Sequence, residues 1–335
     1  MNQQIVLASR PTGAPTLADF ALREAPVPAL ADGQIHVAHA YLSLDPYMRG
    51  RMNEGKSYAA PQPLGEVMLG GTVGHVVASR AAGFAPGDAV VGMGGWQAHF
   101  VGTPAAGMFR PVDTRAIPLE AYLGAVGMPG VTAWYGVERI LEPRPGHTVV
   151  VSAAAGAVGS VVGQLAKRRG ARAVGIAGGP AKCAHVVEAL GFDACVDYKA
   201  HREPRALAAA LKAACPDGID GDFENVGGAI LDAVMARMNP FGRIALCGMI
   251  AGYDGAPIPL TAPQLMLVQR LRVQGFIVSE HLDQWPAALA DLGALVAGNQ
   301  LRYHATIADG LARAPAAFLG MLRGDNLGKQ LVRVA

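Results

Sequence analysis

At 335 residues the chain is too long for one ordinary hydrophobic core, so two domains are expected. Apolar residues make up 51% and charged residues only 16%, a composition that excludes a disordered or low-complexity protein. The net charge of +2, with no basic block beyond Lys167-Arg168-Arg169, gives no support for nucleic-acid binding, and the opening MNQQIVLASRP lacks the apolar core of a signal peptide, so a cytoplasmic protein is expected.

Residues 1–120 read as mostly β. Gln34–Leu44 alternates around Ile35, Val37 and Leu42, and Met68–Val77 and Asp88–Met93 are further apolar runs between glycine-rich turns. Pro86-Gly87-Asp88 has the chemistry of a turn feeding a strand. Short strands at this spacing suggest a small barrel-like domain. The stretch Ser43-Leu44-Asp45-Pro46-Tyr47-Met48-Arg49 breaks the pattern, and composition leaves open a surface turn or a loop facing a cleft. His75, in an alternating run with no cysteine near it in sequence, reads as a strand histidine.

From about Ala121 the rhythm changes. Ala121–Leu141 has helical spacing, interrupted at Pro129-Gly130. Strands are then predicted at 149–152, 172–177, 194–197, 220–224, 242–247 and 272–278. Helices are predicted at 159–169, 180–190, 204–214, 229–238, 262–270 and 284–297. Such alternation implies a parallel sheet covered on both faces. The tail, 301–335, returns to irregular and strand-like character with Gln330–Val334 and is expected to rejoin the first domain. The expected class is therefore α/β: a doubly wound sheet in 121–299, beside a mostly β domain formed by 1–120 with 300–335.

The chain is organised around His147–Arg169. Val149-Val150-Val151 runs into Ala154-x-Gly156-x-x-Gly159 and then into a helix-like segment ending in three cations. Strand, glycine turn and helix in this order form the cradle of a dinucleotide pyrophosphate. Small residues let the backbone approach the phosphates, and the helix start offers free N–H groups and a positive dipole end. The first glycine of the usual fingerprint is Ala154 here, and a turn that only packs a helix on a sheet has the same pattern. No residue from Thr148 to Ala166 is charged, and Gly159-x-x-x-Gly163 mimics a transmembrane packing motif. Glycine and serine in the middle of that run argue against a membrane span.

Ligands of such sheets bind at the carboxyl ends of the strands, so the predicted ends carry the functional reading. The second ends in Gly178-Gly179, where an acidic residue would hold the ribose hydroxyls of NAD. None is there, and Lys182 follows, which favours a 2′-phosphate and hence NADP. The third ends at Asp197-Tyr198-Lys199, the fourth at Asn225-Val226-Gly227-Gly228, and the fifth at Cys247-Gly248, followed by a loop carrying Tyr253. Cys183, Cys195, Cys215 and Cys247 show no metal or disulfide spacing and read as buried small apolar residues.

With these residues collected, the chain resembles the zinc-independent medium-chain dehydrogenase/reductases, in the group of prostaglandin reductases, plant alkenal double-bond reductases and bacterial curcumin reductases. The matching stretches are YLSLDPYMRGRM (41–52), GMPGVTAWYG (127–136), AAAGAVGSVVGQLAK (153–167), AGGPAKC (177–183), FENVGG (223–228), FGRIALCGMIAGY (241–253) and GMLRGDNLGKQLVRV (320–334). The resemblance implies a GroES-like substrate domain and a Rossmann domain. It also implies NADPH contacts at Gly156, Ala157, Val158, Gly159, Lys182, Tyr198, Asn225, Cys247, Gly248, Phe276, Ile277, Val278 and Asn326. No metal site is implied: Gly70-Gly71-Thr72 stands where metal-dependent relatives place a histidine turn. The loop Ala251–Pro263 is shorter than in curcumin reductase-like relatives, so the substrate itself is not carried over.

The expected activity is NADPH-dependent reduction of the C=C bond of α,β-unsaturated ketones or aldehydes. Hydride addition to the β-carbon leaves an enolate that needs a hydrogen-bond donor, with Tyr253 the first candidate and Tyr47 the second. A quinone oxidoreductase and a non-catalytic NADPH-binding sensor stay open beside it. A small-molecule enone or enal partner and a homodimer are expected, with no nucleic-acid or membrane partner.

Overall fold

The computed structural model describes residues 1–55 and 57–334 and divides into two compact units, 1–123 with 305–335 and 124–304. The first unit begins with the hairpin β1 (Asn2–Leu7) and β2 (Phe20–Ala25), paired antiparallel from Asn2↔Ala25 to Leu7↔Phe20. β3 (Ile35–Ser43) follows and buries Ile35, Val37 and Leu42, then comes the short helix α1 (Tyr47–Arg51). β4 (Thr72–Ser79), β5 (Ala89–Gly92), β6 (His99–Gly102) and β7 (Arg110–Pro111) complete its N-terminal part.

In the second unit α2 (Met128–Tyr135) places Pro129 in its first turn, where the missing N–H costs nothing. The proline therefore starts this helix, whereas helical spacing alone suggested an interruption. β8 (Thr148–Ser152), α3 (Gly159–Arg168), β9 (Arg172–Ala177), α4 (Pro180–Ala184), β10 (Ala194–Asp197) and α5 (Pro204–Ala214) follow. Then come β11 (Ile219–Glu224), α6 (Gly228–Met235), β12 (Met238–Leu246), α7 (Gln264–Val268), β13 (Arg272–Gly275) and α8 (Trp285–Ala297). The strands form one parallel sheet in the order β10-β9-β8-β11-β12-β13. β8 is central and Val149, Val150 and Val151 are all buried, as a strand covered on both faces requires. One face packs Val150, Val174, Ile176 and Ile244 on Leu207, Leu211, Leu231 and Val234 of α5 and α6. The uncharged run 148–166 is strand, turn and helix, and no helix among the described residues is long and apolar enough to cross a membrane.

The chain then returns to the first unit with β14 (Ala305–Asp309), α9 (Ala314–Leu322) and β15 (Lys329–Arg333). Its sheet runs β14-β15-β3-β4-β5-β7, with β6 also paired to β3. Its main core holds Ile5, Leu7, Leu42, Met48, Trp96 and Phe318, with Trp96 stacked on Phe20 at 5.7 Å and edge-on to Phe318 at 5.6 Å. The tail expected to be irregular and strand-like thus contains a helix. Other boundaries also differ from expectation: α6 ends at Met235, β12 starts at Met238, α7 is confined to 264–268, and β13 stops at Gly275 before a 3-10 turn at Val278–Glu280.

Candidate functional site

The turn after β8 is built by small residues. Ala153 takes a left-handed conformation (φ 49°), which lets the Ala154 N–H reach Ile176 O at 3.0 Å and the Gly156 N–H reach Ala153 O at 2.9 Å. A Cβ on Gly159 would lie 2.5 Å from Ala153 O and 2.9 Å from Ala154 Cα, so only glycine lets α3 start hard against the strand end. A Cβ on Gly156 would meet Ala153 O at 3.1 Å and nothing else within 4 Å among the described residues. Gly156, Ala157 and Val158 are partly exposed there, while Ser160 N–H donates to Gly156 O and the Val161 and Val162 N–H groups donate to Val158 O. What the turn offers an anion is therefore the exposed backbone of Ala157 and Val158 and the positive end of α3.

Tyr198 and Lys199, just past β10, lie over the end of β9. A Cβ on Gly178 would come within 3.0 Å of Tyr198 Oη and of Lys199 Cε. Asp197 fixes that corner: its Oδ1 accepts the N–H groups of Gly179 at 2.7 Å and Lys199 at 2.9 Å. Burial works against its charge, but the amides of Gly179, Lys199 and Ala200 hold the carboxyl below its ordinary value. An acid thus does stand beside the Gly178-Gly179 turn, supplied by the neighbouring strand, with Oδ1 committed to backbone. Lys182 is half-buried on α4.

At the ends of β8 and β11, Glu224 Oε1 accepts the Ser152 hydroxyl at 2.7 Å, the Gly227 N–H at 2.8 Å, and the Val226 N–H. The Asn225 N–H donates to Ser152 Oγ at 2.7 Å and its Nδ2 to Ser152 O at 2.8 Å. The Asn225 side chain is thus anchored to the neighbouring strand. Burial drives the Glu224 carboxyl above its ordinary value despite these donors. At the end of β12 the Cys247 and Gly248 amides donate to Glu224 O, and burial pushes the Cys247 thiol up to about 12. A Cβ on Gly248 would lie 3.3 Å from Tyr253 Oη and 3.4 Å from Asn225 O, so the phenol rests over this strand end. Phe276 and Val278 turn their side chains into the core. Phe276 is edge-on to Phe223 at 6.1 Å, and the Val278 carbonyl accepts Trp285 Nε1 at 3.0 Å. Ile277 between them is partly exposed.

The other candidates belong to the first unit. Tyr47 opens α1, with the Arg51 guanidinium 5.8 Å from its ring centre, and burial followed by the Asp45 charge holds its phenol well above the ordinary value. Lys329 Nζ donates to Asp45 Oδ1 at 2.6 Å and to Leu44 O at 2.7 Å, and the Ser43 hydroxyl donates to Asp45 Oδ2. Asn326 donates from Nδ2 to Gly328 O at 2.8 Å.

The sheet of the second unit therefore brings Gly156–Gly159, Tyr198, Asn225, Cys247, Gly248 and Tyr253 to one edge, the carboxyl ends of its strands. Tyr47 and Asn326 lie in the first unit. Sequence reasoning missed Ser152 and Lys329, and it named Asp197 and Glu224 without their supporting roles. Each had a faint signal, a polar residue closing or opening an apolar strand.

Two family models match the chain, an N-terminal domain of oxidoreductase over residues 3–110 and a zinc-binding dehydrogenase over 157–294. The NADPH-dependent curcumin reductase of Escherichia coli (strain K12) is 42% identical over 341 residues, covering 100% of this chain and 97% of that protein. Prostaglandin reductase 1 of Rattus norvegicus is 41% identical over 325 residues, covering 96% of this chain and 95% of that one. The crystal structure of CurA from Vibrio vulnificus in complex with NADPH matches with a TM-score of 0.92 at 42% identity, covering 99% of both chains. Despite the second family model's description, no group of three or more His, Cys, Asp or Glu among the described residues is placed to hold a metal ion.

Proposed function

This chain belongs to the zinc-independent medium-chain dehydrogenase/reductases, in the group of prostaglandin, alkenal double-bond and curcumin reductases, and from that premise we propose that it reduces the C=C bond of α,β-unsaturated ketones or aldehydes with NADPH. The observation that carries the reading is the row of strand ends in the second unit, where a tyrosine–lysine pair after β10, a glycine turn after β8 and a phenol after β12 lie along a single sheet edge. The donor set fits the cofactor. The Ala157-Val158 backbone and the positive end of α3 would meet a pyrophosphate, and Lys182, Tyr198 and Lys199 would offer cations and a hydroxyl to a 2′-phosphate. Asn225, held to Ser152, and the Cys247-Gly248 backbone would form the wall nearer the nicotinamide. The relatives' names give the class of bond: curcumin, prostaglandin and alkenal reductases.

NADPH, when bound, supplies the hydride that adds to the β-carbon. Tyr253 would donate its phenolic hydrogen to the substrate oxygen as that oxygen gains enolate charge, and Tyr47 would shape the substrate or provide a second donor. Asp197 and Glu224 hold backbone amides in place beside these groups. Steady-state NADPH oxidation by the purified protein tests the reading, with simple enones and enals in one series and quinones in another. Turnover of enones well above quinones is the expected result. Turnover of quinones alone, or of neither series, overturns it.

A further inference from the structure

Cys183 and Cys195 were expected to be independent, buried small residues, yet the fold places them side by side. Cys183 lies on α4 and Cys195 on β10, and their Sγ atoms are 2.8 Å apart with both thiols free. Gly175 on β9 lies beside the pair, where a Cβ would stand 3.4 Å from Cys195 Sγ. An S–S bond of about 2.04 Å needs the sulfurs to close by only ~0.8 Å.

We propose that Cys183 and Cys195 are a redox modification site, a dithiol that a small-molecule disulfide such as glutathione disulfide converts into an intrachain disulfide clamping α4 to β10. Cys183, the less buried of the two, attacks as its thiolate and forms a mixed disulfide, releasing one glutathione thiol. Cys195 then attacks the Cys183 sulfur and releases the second. Two protein thiols and one glutathione disulfide become one protein disulfide and two glutathione thiols, so two electrons and two protons pass to glutathione.

The reactivity of the pair is slow by construction. Burial raises both thiols above their ordinary value, so at neutral pH both rest protonated. Exchange requires the thiolate, so its rate climbs roughly tenfold per pH unit below the thiol's pKa. Sustained oxidising conditions, and not a brief pulse, would close the bond.

The clamp falls on a sensitive place. α4 carries Lys182 next to Cys183, and β10 leads through Asp197 to Tyr198 and Lys199 over the end of β9. Its consequence for the cofactor rests on the proposed function: order supplied by the disulfide before binding need not be supplied by NADPH.

Trypsin offers a direct test, because cleavage after Lys182 and after Lys199 leaves both cysteines on one peptide. The full chain is equilibrated with glutathione disulfide under native conditions at mildly alkaline pH, quenched, alkylated and mapped by mass spectrometry. The expected Cys183–Lys199 peptide takes two alkyl groups before oxidation and none after it, with no glutathione attached, while Cys215 stays alkylatable. In Cys195→Ser the glutathione adduct on Cys183 should persist. Full alkylation after oxidation, or an unresolved adduct in the unsubstituted protein, overturns the site. NADPH titrations of oxidised and reduced protein then read the clamp, with binding roughly two- to tenfold tighter when oxidised, the range for prepaid order of one side chain. Equal affinities overturn the clamp's effect on cofactor, whereas failure of the reduced protein to bind NADPH strikes at the proposed function instead.

Discussion

Lys329 and Asp45 meet at 2.6 Å inside the first unit, with side chains only 5% and 7% exposed, although 284 positions separate them in sequence. The ammonium also caps Leu44 O, so one side chain fastens the segment leading into Tyr47 to the start of β15. A buried charge pair of this kind is costly to break on one side only. Lys329→Met should lower unfolding stability by about 3–5 kcal/mol in a denaturant titration, because Asp45 is left buried and uncompensated. Adding Asp45→Leu should recover most of that loss. A single variant as stable as the parent would show the pair to be hydrated in solution.

On the proposed function, cations beside the Gly178-Gly179 turn would set cofactor selectivity. Lys182→Ala should weaken NADPH by about 1.5–3 kcal/mol, the range for a hydrogen bond to a charged group, and leave NADH nearly unchanged. The ratio of kcat/KM for the two cofactors checks this. If the ratio does not move, Tyr198 and Lys199 carry the phosphate.

Tyr253 lies over the end of β12 against Gly248 and Asn225. Loss of one donor to a developing oxyanion typically costs about 2.7–4 kcal/mol, or roughly 10²–10³ in kcat. A ribose hydroxyl of the cofactor can share that role, so Tyr253→Phe should fall at the low end or somewhat less, with NADPH affinity intact. Single-turnover rates with a simple enone measure it. A loss below about twofold assigns the ring to packing alone and moves the test to Tyr47→Phe.

Asp222 is fully buried on β11, and among the described residues neither of its carboxylate oxygens has a hydrogen-bond partner. Burial, with the nearby Glu224 charge adding to it, holds this carboxyl well above its ordinary 3.8. The folded chain therefore keeps a proton there that the unfolded chain releases. The stabilising contribution is complete below 3.8 and is lost as pH rises from there through the folded value. Asp222→Asn should remove that slope, at most about 1.4 kcal/mol per pH unit, from stability measured between pH 5 and 9. Identical slopes for both proteins would mean that Asp222 does not titrate on unfolding.

Zinc should be dispensable. The turn Gly70-Gly71-Thr72 lies under Trp96, whose ring would be 2.9 Å from a Cβ on Gly70, and it offers no imidazole. Enone reduction should survive prolonged treatment with a strong chelator, with substoichiometric zinc by elemental analysis. One tightly held zinc per chain would contradict this.

The sequence was most legible where local chemistry and tertiary fate agreed. β9 ends where its apolar run meets Gly178 and α5 opens on Pro204, and the structure keeps the expected limits of both and of β10. α9 escaped because APAAFLGML has almost no polar face: Phe318 and Met321 are buried, so no amphipathic period marks it. The start of β12 escaped because Phe241 stands at φ 65°, a kink that no alternation reports. At the candidate site the glycine turn and Tyr253 could be named from local sequence, whereas Ser152, Asp197 and Lys329 act by holding other groups. Such roles exist only once strands are neighbours, and so does the meeting of Cys183 with Cys195.

β15 fills the place between β14 and β3, pairing Leu331 with Ser43 and Val332 with Leu42, yet it follows the entire second unit in sequence. On the ribosome, the edge of β3 and the carboxylate of Asp45 must therefore wait while 124–304 are synthesised. The second unit, continuous in sequence, can fold first, whereas the earlier-made unit stays incomplete with an open strand edge. Nascent chains halted before Lys329 should accordingly hold a protease-resistant second unit beside a degradable first one. The strand that closes the first unit is made only after the whole of the second.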